Sequence, residues 1–164
     1  SINVIVRQMS KKNVVDIIEF SEELSVPIKT LNYEWLEKYF RIEEGDVASL
    51  SDPQKHIIDK GGHIYYAKLN GEIVGTASLL KKSETVYELG KLAVSDKAQG
   101  HGIGTILIEH CLNIAKQKQI TILILYSNTT LQSAIHLFRK YGFEEVELES
   151  GVYERANIKM EKHF

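Results

Sequence analysis

Apolar positions along this chain fall into two rhythms, one of two residues and one of three to four, and their alternation outlines the fold. Residues 2–7 alternate well enough for a first strand. Ser10 then stands where a helix N-cap is expected, and Val14, Ile17, Ile18 and Leu24 mark one face of a helix running to about Ser25, ended by Pro27. Residues 31–42 carry apolar side chains at 31, 35, 36, 39 and 40, again a helical spacing. Residues 45–52 read as loop, Asp52-Pro53 opens a short helix to about Asp59, and Gly61-Gly62 breaks the chain. Residues 63–69 and 72–80 are strands joined at Asn70-Gly71, a strong hairpin signal, and a turn near 82–84 leads into a strand over 86–94. A glycine-rich loop over 99–104 precedes a helix over 105–117. The β-branched run 120–126 then reads as a buried central strand. Residues 131–141 are helical, with Gly142 where a left-handed C-cap belongs, and strands near 144–149 and 152–160 follow. The order β-α-α-β-β-β-α-β-α-β-β predicts an α/β protein, a mixed sheet flanked by helices, in one domain over 1–164 with no repeat or linker.

Composition narrows the class. Hydrophobic residues make up 43% and charged residues 26% of 164, as in globular domains. A formal charge of −2 argues against nucleic acid as a partner. No apolar run approaches the roughly 20 residues of a membrane span, and the apolar stretch 2–6 is too short for a signal peptide. The one cysteine, Cys111, allows no internal disulfide and fits a reducing, cytoplasmic setting, as an inert core thiol inside the predicted helix.

The run Gln99-Gly100-His101-Gly102-Ile103-Gly104 carries the chemistry. Glycines between a strand and a helix let backbone approach a ligand, and the first N–H groups of the helix, at the positive end of its dipole, suit a phosphate or pyrophosphate. An ATPase phosphate loop would need Gly-x4-Gly-Lys-Ser/Thr, which is absent. A dinucleotide loop would need Gly-x-Gly-x-x-Gly after the first strand of a β-α-β unit; here the spacing is Gly-x-Gly-x-Gly, after three antiparallel strands.

With its surroundings the loop resembles the GNAT superfamily of acetyl-CoA-dependent N-acetyltransferases. The resemblance rests on the strand 88–94, the loop 99–104, Ser127-Asn128, and the segment from Ala134 to Phe143, in that order. It implies a central, mostly antiparallel sheet with helices on both faces and a splay between two central parallel strands. It further implies acetyl-CoA as co-substrate. Backbone N–H groups of Gln99, Gly100, His101, Gly102, Ile103, Gly104 and Thr105 would hold its pyrophosphate. Leu92, Ala93 and Val94 would pair with the pantetheine arm as an added strand, and the Leu92 N–H would polarise the thioester carbonyl. Asn128 would be a polar contact at the splay, and Gly90 a sensible site for the bulge that opens it.

Amine acetylation needs the amine deprotonated and a thiolate expelled. Glu88 is the candidate base, directly or through a water. The family's usual acid, a tyrosine four residues before the terminal Gly-Phe, is here Phe138, which has no exchangeable proton but remains a candidate wall of the donor site. Tyr141, about 60° round the helix and one turn on, is the candidate replacement, and Tyr126 a weaker one. The six histidines show no metal-ligand spacing, so no metal is expected. Glu22, Glu23, Glu34, Glu37, Glu43, Glu44 and Asp46 cluster where the family builds its acceptor pocket, so a polyamine or lysine side chain is conceivable; solvated helix faces explain the same residues. Trp35, Tyr33 and Tyr39 either wall that pocket or pack in the core. The expectation is transfer of acetyl to a primary amine of a small molecule or peptide by direct attack in a sequential mechanism, as a monomer or homodimer and without membrane attachment. The alternatives are a weak acyl-CoA-binding or regulatory module, and an acyltransferase with another donor or acceptor.

Overall fold

The computed structural model describes residues 4–10 and 13–164. Its strands are β1 (Val4–Ser10), β2 (Asn13–Glu19), β3 (His63–Leu69), β4 (Glu72–Lys81), β5 (Val86–Val94), β6 (Ile122–Ser127), β7 (Glu144–Val146) and β8 (Ile158–His163). They form one mixed sheet in the order β1-β2-β3-β4-β5-β6-β8-β7. Among the described residues only the β5–β6 pair is parallel. The helices are α1 (Pro27–Tyr39), α2 (Glu44–Ser51), α3 (Ile103–Gln117) and α4 (Gln132–Lys140).

Two apolar layers hold them. Ile103, Leu107, Cys111 and Ala115 of α3 and Phe138 of α4 pack on Val15, Ile17, Tyr65, Leu79, Leu123 and Met160 of one sheet face. Ile28 of α1 and Leu50 of α2 pack on Ile18, Ile64 and Tyr66 of the other. The α3 start is pressed close to the sheet, for a Cβ on Gly75 of β4 would lie 2.7 Å from Ile103 Cγ2. No helix among the described residues is long and apolar enough to cross a membrane.

The predicted helix from Ser10 to Ser25 is instead the end of β1, then β2 and a short 3-10 turn at Glu22–Leu24. Val15 and Ile17 are buried on one face and Ile18 on the other, because helices cover both sides. A strand buried on both faces loses its period of two, and positions 14, 17 and 18 then imitate a helix. Ile2 and Asn3 of the predicted first strand lie outside the described residues. Pro27 does not end a helix but starts α1, at the position where its missing N–H costs nothing. The predicted loop 45–52 is α2, nucleated by a reciprocal cap: Glu43 N–H donates to Asp46 Oδ2 at 2.9 Å, and the Glu43 carboxylate accepts from the first turn. The hairpin at Asn70-Gly71 is present, both residues at positive φ, as is Gly142 at φ +92°. Of the last two predicted strands only 144–146 and 158–163 form, and 147–157 is mainly loop.

The centre of the sheet splits. Val86, Tyr87 and Glu88 pair with Ile122, Leu123 and Ile124, and there the β5–β6 ladder stops. Beyond it β6 follows β8 while β5 follows β4. Ser78 faces Gly90 and Thr76 faces Ala93, so Ala77 stands opposite two residues, Lys91 and Leu92. The bulge therefore forms one residue after Gly90, with Lys91 at φ +52°. Gly90 serves a different need: a Cβ there would lie 3.0 Å from Glu88 Oε2, so its absence leaves room for that carboxylate.

Candidate active site

A cavity of about 610 Å³ fills the split between β5 and β6 and reaches the start of α3. This is within the usual range for small-molecule sites. Glu88, Leu92, Ala93, Val94, Gln99, Gly100, Gly102, Ile103, Gly104, Thr105, Asn128 and Phe138 all line it. His101 and Tyr141 do not.

Main chain builds one half. Past Glu88, the edge of β5 that faces β6 has no strand paired to it among the described residues. The glycine loop then turns into α3 through Gly102, at φ +70°, a conformation that side chains other than glycine adopt at a cost. No side chain caps the helix start, so its first N–H groups face the cavity end without an intrahelical acceptor. A Cβ at Gly100 or Gly102 would meet no heavy atom within 4 Å, which leaves the approach to those groups open.

Side chains build the other half. Glu88 is only 2% exposed. Tyr153, from the 147–157 loop, donates its hydroxyl to Glu88 Oε2 at 3.0 Å. Lys82 Nζ lies 3.1 Å from Oε1, yet not in hydrogen-bonding geometry, so Oε1 is buried without a donor. Burial and the neighbouring carboxylate push the Tyr153 hydroxyl well above the ordinary phenol range, so it stays protonated. Its ring lies against the Arg155 guanidinium, 4.7 Å from the centroid.

Arg155 is fixed in turn. It grips Asp46 with two bonds of 2.7 and 3.0 Å and reaches Glu43 at 2.8 Å. Lys91, the bulge residue, extends to Asp46 Oδ1 at 3.2 Å, and its carbonyl accepts from Asn32 Nδ2 at the same distance. Asp46 is 1% exposed. Burial alone would raise its pKa most, but Arg155, the Glu43 N–H and Lys91 together hold it below the ordinary carboxylate value. One buried carboxylate thus ties the β5 bulge to the loop that carries Tyr153.

Several sequence candidates are placed otherwise than expected. Asn128 lines the cavity, but its amide donates to the Arg155 carbonyl at 2.8 Å and its oxygen accepts from Thr130, so it braces the loop. Tyr141 packs away from the cavity beside Glu109, and Phe138 meets Phe143 edge-on at 5.9 Å. Tyr126 donates to Glu149 at 2.7 Å. Of the acidic cluster, Glu43 and Asp46 are bound to Arg155, Glu34 accepts the Asp96 N–H, and Glu22, Glu23, Glu37 and Glu44 are off the wall. Cys111 is wholly buried, and burial pushes its thiol up to about 12. No group of three or more metal-ligating side chains occurs among the described residues.

Sequence reasoning missed Tyr153, Arg155, Lys91, Asn32 and the role of Asp46. Only Asp46 left a signal, as the third-position acid of a cap opened by Glu43.

The sequence profile of the Acetyltransferase (GNAT) family matches residues 29–143. N-acetyltransferase family 8 member 2 of Rattus norvegicus is 28% identical over 103 residues, 60% of this chain and 46% of that protein. The chain spans about half the length of the curated relatives it matches. In structure it is similar to a GNAT-family acetyltransferase of Staphylococcus aureus, with a TM-score of 0.81 at 20% identity over 91% of this chain and 98% of that one. It is also similar to the PaiA N-acetyltransferase of Thermoplasma acidophilum, solved in complex with coenzyme A. There the TM-score is 0.71 at 19% identity, over 92% of this chain and 99% of that one.

Proposed function

Because this chain belongs to the GNAT family of acetyltransferases, we propose that it transfers acetyl from acetyl-CoA to a primary amine by direct attack. One observation carries the reading: a single cavity joins an open strand edge and an uncapped helix start to a buried carboxylate, one oxygen of which accepts no hydrogen bond. The first two suit a long donor bound through main chain, and the last suits a proton-bearing nucleophile.

Acetyl-CoA, when bound, supplies an acetyl group activated as a thioester. Main-chain N–H groups of Gly100, Gly102, Ile103, Gly104 and Thr105 hold the pyrophosphate with the help of the α3 dipole, whereas the Gln99 N–H is bonded to the Asp96 carbonyl and His101 lies off the cavity wall. Leu92, Ala93 and Val94 hold the pantetheine arm along the open edge, and the Leu92 N–H polarises the thioester carbonyl. Glu88 takes the proton of the attacking amine, directly or through a water, and Tyr153 holds Oε2 so that the carboxylate keeps its aim. Phe138 forms apolar wall. A thiolate leaves readily, so no acid is assigned; Tyr141 lies off the cavity wall, and Tyr153 keeps its proton on Glu88. The mechanism is sequential, as the wall carries no activated nucleophile.

The test is Glu88→Gln, followed as thiol release across pH with a panel of amines. We expect kcat/KM to fall by about 10² or more, with the acid limb of the profile lost and acetyl-CoA affinity kept. An unchanged profile removes Glu88 from the mechanism. A second reading, a weak acyl-CoA-binding module, is favoured by Phe138, and tight acetyl-CoA binding with no turnover on any amine supports it.

A further inference from the structure

Most charges on the wall of the acceptor half are already paired within the protein. Arg155 and Lys91 both terminate on Asp46, and Arg155 on Glu43 as well. Asp96 pairs with Lys38, and Glu34 accepts the Asp96 N–H. Among the described residues that line the cavity, only Glu88 has a side-chain oxygen that is buried and accepts no hydrogen bond, with Lys82 Nζ 3.1 Å from it. The buried part of the wall therefore has a place for one ammonium, the exposed Glu34 is a further lining carboxylate with no cationic partner among the described residues, and a substrate carboxylate meets no unpaired cation among the described lining residues.

What the wall does offer is aromatic surface. Trp35, Tyr39 and Phe40 sit together at the end of α1, with Trp35 5.8 Å from Tyr39 and 5.5 Å from Phe40 between ring centroids. All three line the cavity, and Tyr39 is 48% exposed. Aromatic side chains grouped on a cavity wall and left accessible to water gain by covering. Their position places them beside the reacting end. The chain passes directly from Phe40 to Arg41 and Glu43, which hold Glu154 and Arg155, and the residue before these is the Tyr153 that sits on Glu88.

We infer that the acceptor is a small primary amine with a single positive charge and an aromatic body, an aralkylamine, and that Trp35 sets this preference. The polyamine suggested by the acidic cluster is disfavoured, because Glu43 and Asp46 are engaged with Arg155 and Lys91 and only the exposed Glu34 is left on the wall for a further charge. This inference rests on the acetyltransferase reading above.

The test compares kcat/KM for phenethylamine, n-butylamine, spermidine and phenylalanine at equal free-amine concentrations, by thiol release from acetyl-CoA. Phenethylamine should exceed each of the others by about tenfold. In Trp35→Ala, checked for unaltered thermal unfolding, the phenethylamine-to-butylamine ratio should fall three- to tenfold, the scale of one lost aromatic contact. Preference for spermidine or for phenylalanine overturns the charge argument. A ratio unmoved in Trp35→Ala while KM for acetyl-CoA rises assigns the aromatic cluster to the donor and overturns the rest. Thiol release from none of the four, but from a peptide amine, overturns the inference and leaves the acetyltransferase reading standing. No release from any amine overturns that reading itself.

Discussion

Replacing Asp46 removes the one group that both Lys91 and Arg155 grip. The Lys91 side chain is 8% exposed and pairs with Asp46, so in Asp46→Ala an ammonium is left buried without that counter-charge. Arg155 suffers less, since it is 17% exposed and keeps Glu43. Breaking a buried pair from one side costs about 3–5 kcal/mol, and losing a helix cap adds about 1. Partial exposure and the surviving Glu43 contact argue for the lower end, about 3 kcal/mol. For a chain of this size that is a fall in Tm of about 6–12 °C. Asp46→Asn keeps the shape but not the charge and should lose most of the same amount.

The sign with pH separates charge from packing. Because the folded pKa of Asp46 is lowered, its contribution to stability is complete above the unfolded value near 3.8 and is lost as pH falls through the folded one. Urea midpoints of wild type and Asp46→Asn should therefore differ by a constant amount above about pH 5 and converge below 3.8. A gap that persists unchanged at pH 3 would show that the ion pairs contribute nothing and that the variant merely packs badly. A fall in Tm of less than about 2 °C for Asp46→Ala would refute the whole account.

Two further changes probe the halves of the site. Tyr153→Phe deletes the hydroxyl on Glu88 and should lower kcat about tenfold, on the scale of one hydrogen bond to a charged group, while leaving KM for acetyl-CoA within about twofold; steady-state kinetics on both substrates checks it. Gly102→Ala forces a Cβ onto φ +70°, so stability should fall by about 1 kcal/mol in urea unfolding, and calorimetry should show weaker coenzyme A binding, since the strain lies at the proposed pyrophosphate site.

The two halves also differ in how far a sequence can announce them. The donor half is local and made of main chain. A strand over 86–94, a glycine loop and a helix are contiguous, and glycine is required for reasons visible in one dimension: positive φ at 100 and 102, and close approach of α3 at 75. Its elements, and most of its wall, were legible for that reason. The acceptor half is built from Asn32, Asp46, Lys91, Tyr153 and Arg155, up to 123 positions apart, and four of the five carry charge or hydroxyl in segments without periodicity. Charge clustering in the sequence pointed to a polycation site, because it counted carboxylates without their partners. Three-dimensional pairing changes that: Glu43 and Asp46 become a neutral frame once Lys91 and Arg155 fold onto them, and Glu88 keeps one buried oxygen that accepts no hydrogen bond. The same logic explains the misread helix over 10–25. Burial on both faces erased the alternation that marks a strand, so the pattern described the neighbours of β2 and not its own geometry. In both places the missing quantity is what lies across from a residue. In the proposed reading the proton-accepting side of the site therefore rests on the residues that pattern reading serves worst, and it is there that substitution of Asp46 will be most informative.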